Sequence, residues 1–167
     1  MRTGQVNLRL LVMLAVLLVP AGLIGLVAAR TALTGGVVQR GDAYEVNLKA
    51  MSSFPFNQQA GTIEDVPEQW RKLDGKKVIL KGQMWAPGKV DGDVRTFDLV
   101  YSITECCYVG EPQIQHFIKA SVPDGVEVEY AGTERVAAVG TLRVDVEREA
   151  GRVTGVYHLD VEDVEPL

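Results

Sequence analysis

The stretch RVAAVGTLRVDVE, residues 135–147, predicts the fold class because apolar and polar side chains alternate along it. Its apolar face consists of Val136, Ala138, Gly140, Leu142, Val144 and Val146, and its polar face of Arg135, Thr141, Arg143, Asp145 and Glu147. A period of two is typical of a β-strand that buries one of its faces. We therefore expect a long, half-buried strand here.

Four further segments alternate in the same way, and they are residues 76–85, 96–103, 116–122 and 157–162. Gly82 and Gly140 lie in mid-strand, where glycine permits the sharp coiling of a small barrel. A short open sheet would expose unpaired backbone edges. The pattern therefore predicts a mainly β domain with a small OB-like five-stranded barrel. A β-sandwich is the second choice, because residues 123–134 are short for the helix usual at that place in an OB-fold.

The N-terminal segment LLVMLAVLLVPAGLIGLVAA, residues 10–29, has no charged side chain. As a helix it would be about 30 Å long, the thickness of the hydrocarbon core of a bilayer. Arg2 and Arg9 precede it, and positive residues stay on the cytoplasmic side. Residues 1–30 are therefore predicted to be a signal-anchor transmembrane helix that leaves the rest of the chain extracytoplasmic, in the periplasm or outside the cell. A cleaved signal peptide is the alternative, although its apolar core usually has only about 7–15 residues.

The rest of the chain divides by composition into a linker and a domain. Residues 31–45 are rich in glycine, threonine and polar residues, which predicts a linker, and residues 46–167 are predicted to be the extracytoplasmic OB-like β domain. Within that domain, Pro67 favours the start of a short helix. We expect its Trp70 and Leu73 to face the core.

Charge and motif content exclude several classes of function. The chain has 17 basic and 22 acidic residues; three of the basic ones lie in residues 1–30, so the remainder carries 14 basic and 22 acidic residues, a net charge of −8. Such a domain repels nucleic acid. No phosphate-binding, dinucleotide-binding or hydrolase motif occurs. We therefore expect no catalytic residues and a protein that is not an enzyme.

The only two cysteines, Cys106 and Cys107, are adjacent and follow a predicted strand, in a loop expected over residues 104–113. Thiolates suit Zn(II) or Cu(I), and His116, nine residues further on, could return to the same end of the barrel. Water, a carboxylate or His158 would complete a four-coordinate site. His158 falls on the polar phase of its strand, so we otherwise expect it to be a solvated surface residue. This hypothesis makes Cys106, Cys107 and His116 the metal ligands and zinc the cofactor.

Two other interpretations of the cysteine pair stay open. A vicinal disulfide would suit an oxidising compartment, but adjacent Cα atoms lie about 3.8 Å apart, against roughly 4.4–6.8 Å in ordinary disulfides. Such a bond would be strained and easily reduced, which favours a thiol-redox protein over a structural cross-link. In the third interpretation the domain is a structural protein-interaction module, and one thiol packs in the core as a small apolar group.

A resemblance to a known family rests on residues 70–78 (WRKLDGKKV), 81–84 (KGQM) and 97–100 (FDLV), together with Cys106. In these segments the sequence resembles an uncharacterised family of small exported bacterial domains found near ABC transporter components. The Cys-Cys pair and residues 139–142 (VGTL) are also similar to the C-terminal domain of two-component permease subunits linked to zinc homeostasis. The chain departs from the first family where a histidine would follow the cysteine by two residues, because Tyr108 and Val109 stand there.

The resemblance implies an accessory protein of a membrane transport system that handles zinc, with ABC transporter subunits as partners. In that comparison His116 replaces the missing histidine as a ligand. No catalytic activity is implied for either family.

Overall fold

The computed structural model describes residues 13, 16, 18, 35–109 and 111–167 of the chain. The predicted membrane helix lies outside the described residues, apart from Met13, Val16 and Leu18, which are helical and exposed. Among the described residues, no helix has the length and apolar character needed to cross a membrane. Residues 36–167 form one compact unit.

The described part of this unit contains seven strands and three short helices. The strands are β1 (Val37–Arg40), β2 (Ala43–Val46), β3 (Lys76–Trp85), β4 (Thr96–Val100), β5 (Ile118–Ser121), β6 (Arg135–Glu149) and β7 (Arg152–Pro166). The helices are α1 (Leu48–Ser52), α2 (Glu68–Arg71) and α3 (Ile103–Cys107), and single 3-10 turns occur at Ile63–Asp65 and Ile114–His116. The prediction of a mainly β domain is confirmed.

All seven strands belong to one sheet, in the order β1-β2-β3-β4-β5-β7-β6, and β3 additionally pairs with β6. The β2–β3 and β5–β7 pairs are parallel, whereas the other pairs are antiparallel. Because β3 pairs with both β4 and β6, each of the five strands from β3 to β7 has a partner on both sides. These five are the strands that the alternation predicted.

Residues 31–45 were predicted to be a linker, but their described part is folded. It contains β1 and most of β2. The two strands form a hairpin, and β2 continues the sheet by pairing with β3. Gly41 and Asp42 connect them, and Gly41 has a φ of 63°, which glycine adopts without steric cost. The composition suggested a stalk, but a two-residue turn between two short strands has the same glycine-rich, polar composition.

Two glycines permit close backbone approaches that the sheet requires. A Cβ on Gly82 would lie 2.4 Å from the carbonyl oxygen of Val100, and one on Gly140 would lie 2.2 Å from that of Asp160. Neither distance is tolerable for a real side chain, so both positions need glycine. The interpretation of these residues as points of sharp coiling is consistent with these contacts.

The core lies between the inner face of the sheet and the short helices. It contains Val78, Leu80, Met84, Leu99, Ile118, Leu142, Tyr157, Leu159 and Trp70, all at most 2% exposed. Helix α2 supplies Trp70 and is followed by the buried Leu73, as expected from the sequence. Pro67 is the residue before the first helical position. The hydroxyl of Tyr157 donates a hydrogen bond to the carbonyl oxygen of Met51 at 3.2 Å, which ties α1 to the sheet.

Candidate functional site

The two cysteines lie in α3, a one-turn helix that directly follows β4, and not in the predicted loop. Ser102 caps this helix, because its hydroxyl accepts a hydrogen bond from the backbone N–H of Glu105 at 3.3 Å. The side-chain oxygen of Gln83 accepts another from the N–H of Ile103 at 2.9 Å. Strand β3 and the cap therefore fix where the helix begins, and with it the positions of both thiols.

The thiols of Cys106 and Cys107 are free and close together, with their Sγ atoms 2.8 Å apart. Cys106 is 1% exposed, whereas Cys107 is half-buried. Burial raises the pKa of the Cys106 thiol to about 12, and the neighbouring Cys107 thiol contributes in the same direction. At neutral pH Cys106 is therefore a protonated thiol, which is a poor nucleophile.

His116 lies in the 3-10 turn before β5, and its ring packs edge-on against Tyr101, with centroids 6.0 Å apart. Its Nδ1 atom is buried and forms no hydrogen bond with any described residue. Burial lowers the pKa of this imidazole, so His116 is neutral at pH 7. A neutral imidazole with an unpartnered nitrogen has the protonation state that a metal ligand needs.

Tyr101 joins these groups, because it contacts His116 and is followed five residues later by Cys106. The Lys49 ammonium lies 5.4 Å from the centre of the Tyr101 ring and forms an ion pair with Glu105. Burial raises the pKa of the Tyr101 hydroxyl, and the negative charge of Glu105 adds to the effect. We call the group formed by Tyr101, Cys106, Cys107 and His116 the thiol corner.

A buried amide network holds the His116 turn in place. The fully buried Gln115 donates hydrogen bonds to the carbonyl oxygen of Phe54 at 2.9 Å and to the side chain of Gln113. The side-chain oxygen of Gln58 accepts a hydrogen bond from the N–H of Ile114 at 2.9 Å. The segment before α2 thereby fixes the turn, and the position of His116 does not depend on the cysteines.

The thiol corner brings two soft donors together but is not a preformed metal centre. Among the described residues, no three histidine, cysteine or acidic side chains are placed to hold one ion. Two zinc-bound sulfurs stand roughly 3.8 Å apart, given Zn–S bonds of about 2.3 Å in a tetrahedron. The two thiols, 2.8 Å apart, would therefore have to rotate apart for zinc to bind.

His158, predicted as a solvent-exposed surface residue and a candidate fourth ligand, occupies a different place. It lies on the outer face of β7 and is only 5% exposed, so the expectation of a solvated side chain is wrong. Its Nε2 atom lies 3.3 Å from Asp145 Oδ1 and 3.7 Å from Glu147 Oε1. Its Nε2 atom therefore faces two carboxylates of β6.

An open cleft of about 780 Å³ lies against the same outer face, lined by His158 and by residues 85–89 and 93–98 among others, and no sequence pattern indicated it. Its residues come from five strands and the β3–β4 connection. The alternating pattern does show which side chains point outward, but it does not show which of them stand side by side. That arrangement depends on the strand register, which the sequence alone does not provide.

Comparison with known proteins places the chain in no established family. No protein-family model matches it, and no curated protein matches it. A crystal structure of a DUF3299 family protein from Pseudomonas aeruginosa PAO1 matches with a TM-score of 0.44 and 22% identity. The match covers 58% of this chain and 64% of that protein, which is less than two thirds of its length. A similarity at this level transfers neither fold nor function.

Proposed function

We propose that this chain is a membrane-anchored extracytoplasmic accessory domain that binds a thiophilic metal ion, such as zinc, at Cys106, Cys107 and His116. The observation that carries the proposal is the thiol corner, where two adjacent free thiols follow Tyr101 by five and six positions in the chain and the Tyr101 ring packs against His116, whose Nδ1 has no partner among the described residues. Sulfur and imidazole nitrogen are the donors that zinc prefers in proteins.

The thiol corner favours binding over catalysis. A nucleophilic cysteine needs a lowered pKa, and the pKa of Cys106 is raised by burial. A metal ion can still bind there, because it displaces the thiol proton as it coordinates, and the affinity then increases with pH. The neutral His116 meets the same requirement without losing a proton.

The architecture that we propose for the domain is an OB-like barrel formed by β3 to β7. The ring of pairings β3-β4-β5-β7-β6 and back to β3, with parallel β5 and β7, supports it. The β1–β2 hairpin is an extension at one side of β3. The barrel would act as a rigid scaffold that presents the strand-to-helix corner carrying the thiols.

The membrane anchor and the partners of the domain rest on the sequence. The uncharged run over residues 10–29 supports a single N-terminal span. The resemblance of residues 70–84 and 97–106 to exported domains found near ABC transporter components supports transporter subunits as partners. In this view the domain holds or delivers metal at the outer face of a transport system.

A thiol-redox protein is the second candidate, and the contact between the two sulfur atoms favours it. Sγ atoms 2.8 Å apart are close enough to be oxidised to a vicinal disulfide. The raised pKa of Cys106 opposes fast thiol exchange, because the thiolate is the reacting species. We therefore rank redox chemistry below metal binding.

The test is metal content and thiol state, measured together on the full chain purified in detergent without chelator. We expect about one equivalent of zinc by elemental analysis. The zinc should be lost in Cys106→Ser, Cys107→Ser and His116→Gln. His158→Gln is the matched control, because it removes the other histidine of the chain, and it should retain the metal.

The remaining outcomes separate the candidates. Absence of both metal and free thiols would indicate the vicinal disulfide and the redox function. Absence of metal after zinc has been added to two free thiols would leave a structural interaction module. Zinc that persists in the Cys106→Ser, Cys107→Ser double variant would show that the ion binds elsewhere, and the proposed site would be wrong.

A further inference from the structure

The outer face of the sheet carries a continuous row of side chains across five strands. None of these side chains belongs to the thiol corner. Register places Trp85 opposite Asp98, Asp98 opposite Lys119, Lys119 opposite His158 and His158 opposite Arg143. We call these five residues the cross-strand row. All five line the open cleft of about 780 Å³, a volume within the range of small-molecule sites.

His158 is the strongest sign that the row is a built site. It is more than nine-tenths buried, yet its Nε2 atom forms no hydrogen bond with any described residue. Asp145 and Glu147 approach to 3.3 Å and 3.7 Å without the geometry of a hydrogen bond. A buried polar atom left without a partner destabilises the folded protein, so a bound partner in the cleft would recover that free energy.

The backbone is shaped to seat this imidazole. A Cβ on Gly155 would lie 3.2 Å from Cε1 of His158 and 3.2 Å from the Lys119 side chain, so glycine provides the space that the ring occupies. A bulge in β6 puts Asp145 and Val146 opposite the single residue Val156. Bulges re-aim side chains, and they occur often beside functional sites.

Asp98 provides a second unfilled hydrogen-bonding group. Burial raises the pKa of its carboxyl group, an effect that nearby Lys119 partly offsets, and no described residue donates a hydrogen bond to it. Lys119 is committed to Glu147, with its Nζ 3.0 Å from Oε2, and Arg143 is committed to Asp160. The acceptor atoms of Asp98 are therefore the free ones in the row.

The charge balance of the cleft defines the chemical class of the ligand. Four cationic side chains, Lys89, Arg95, Lys119 and Arg143, are nearly matched by three carboxylates, Asp93, Asp98 and Glu147. Such a lining favours neither a polyanion nor a cation. The hydroxyls of Thr96 and Ser121, which face each other across β4 and β5, add neutral hydrogen-bonding groups.

We infer that the cleft binds a neutral saccharide chain, with hydroxyl groups donating to Asp98 and one apolar ring face packed against Trp85. A sugar offers closely spaced hydroxyl donors for the half-buried carboxylate of Asp98 and an oxygen atom for the imidazole of His158. It also has a C–H face that packs on an aromatic ring. Trp85 is partly exposed at the end of the row and can provide that ring. This site is independent of the proposed metal site.

The test is titration calorimetry of the full chain in phosphatidylcholine nanodiscs, which contain no sugar detergent. The probes are two neutral trisaccharides, triacetylchitotriose and maltotriose, with triglycine and a short oligothymidylate for comparison. We expect at least one trisaccharide to bind with a dissociation constant below about 1 mM. Tryptophan fluorescence should change on binding, and it should report Trp85, because Trp70 is only 2% exposed.

Substitutions locate the binding. Asp98→Asn preserves shape but removes the charge, and it should weaken trisaccharide binding about tenfold. Trp85→Ala should abolish the fluorescence change, with Trp85→Phe as the milder variant if folding suffers. Lys72→Ala is the control. It removes an exposed side chain that forms an ion pair with Glu68 outside the cleft, so this variant should bind as the wild type does.

Three results would overturn the inference. The first is no binding of either trisaccharide at about 10 mM, a concentration that detects even weak sites. The second is trisaccharide binding that both Asp98→Asn and Trp85→Phe leave unchanged. The third is binding of triglycine or oligothymidylate alone, which would assign the cleft to a peptide or a nucleic acid.

Discussion

The thiol corner and the cross-strand row differ in how their residues are brought together. The corner depends on neighbours in the chain, since Tyr101, Cys106 and Cys107 lie within seven positions of one another and only His116 comes from a further turn. The row depends entirely on strand register, because each of its five residues belongs to a different strand. Rare residue types close in sequence are easy to notice, whereas common charged residues on separate strands are not.

The two regions also differ in electrostatic character. The corner contains a protonated thiol and a neutral imidazole, with its charged pair, Lys49 and Glu105, at the surface. In the row, Lys119 and Arg143 form ion pairs with carboxylates beside it, whereas Asp98 forms none with a described residue. Loss of a proton and gain of a soft metal ion suit the corner, while hydrogen bonding to a neutral polar ligand suits the row.

The largest expected effect is a difference in the free energy of unfolding between two alanine variants. Gly82 lies next to the thiol corner and Gly155 lies next to the cross-strand row. Gly82→Ala would place a Cβ 2.4 Å from the backbone oxygen of Val100, just before the thiol corner, and should lower the free energy of unfolding by about 3 kcal/mol or more. Gly155→Ala presses on the side chains of His158 and Lys119 at 3.2 Å, and should cost about 1 kcal/mol.

Urea unfolding of the two variants, followed by circular dichroism, measures this difference. The slope of free energy against urea should stay unchanged in both, because neither substitution alters the surface exposed on unfolding. Equal losses in the two variants would contradict the close approach of β3 to the end of β4, and with it the described position of the thiol corner.

The second effect concerns the alkaline stability of the metal-free protein. The pKa of Cys106 is raised from 9.0 to about 12 in the folded state, so between these values the folded state binds more protons than the unfolded chain. Stability must therefore fall as the pH rises above 9, by about 1 kcal/mol at pH 10. Thermal or urea unfolding from pH 8 to pH 10 measures the loss.

Two alanine variants make this prediction specific. Cys106→Ala removes the titrating thiol, so its stability should change less between pH 8 and pH 10 than that of the wild type. Cys107→Ala should retain most of the loss of stability seen in the wild type. If both variants lose stability with pH as steeply as the wild type, the buried environment assigned to Cys106 is wrong.

The third and smallest effect lies on the acid side. Burial lowers the pKa of His116 below its ordinary value of 6.5, so below pH 6.5 the unfolded chain binds more protons than the folded protein. Stability should fall as the pH falls below 6.5, by less than about 1 kcal/mol because the ring is partly exposed. Unfolding at pH 7.5 and pH 5.5 measures the change.

His116→Gln should remove this acid loss, and His158→Gln should preserve it. This pair also separates the two regions, because one histidine belongs to the thiol corner and the other to the cross-strand row. The opposite result, in which only His158→Gln changes the acid dependence, would assign the titrating group to the row.

The alternation of side chains was sufficient to predict the five strands β3 to β7 and the mainly β fold class. It did not predict the β1–β2 hairpin, because the composition of residues 36–46 resembles that of a linker and each strand has only four residues. It also did not predict helix α3, which is a single turn defined by the Ser102 cap. Elements this short form because the surrounding sheet stabilises them.

The candidate sites follow the same division. The cysteine pair and His116 were predicted as metal ligands from residue type and spacing, and their assignment stays a prediction. The burial of His158 was not identifiable, because an outward-facing residue becomes buried only through its neighbours Lys119, Asp145 and Glu147 on other strands. A bulge and a glycine produce that burial, and the alternating pattern shows neither.

The most direct test of the central claim is X-ray absorption at the zinc edge, measured on the zinc-loaded full chain. The account predicts two sulfur atoms at about 2.3 Å and at least one nitrogen at about 2.0 Å. One sulfur should disappear in Cys106→Ser and in Cys107→Ser, and the nitrogen contribution should weaken in His116→Gln. Zinc surrounded by oxygen and nitrogen alone, or a chain that takes up no zinc, would contradict the proposed metal site.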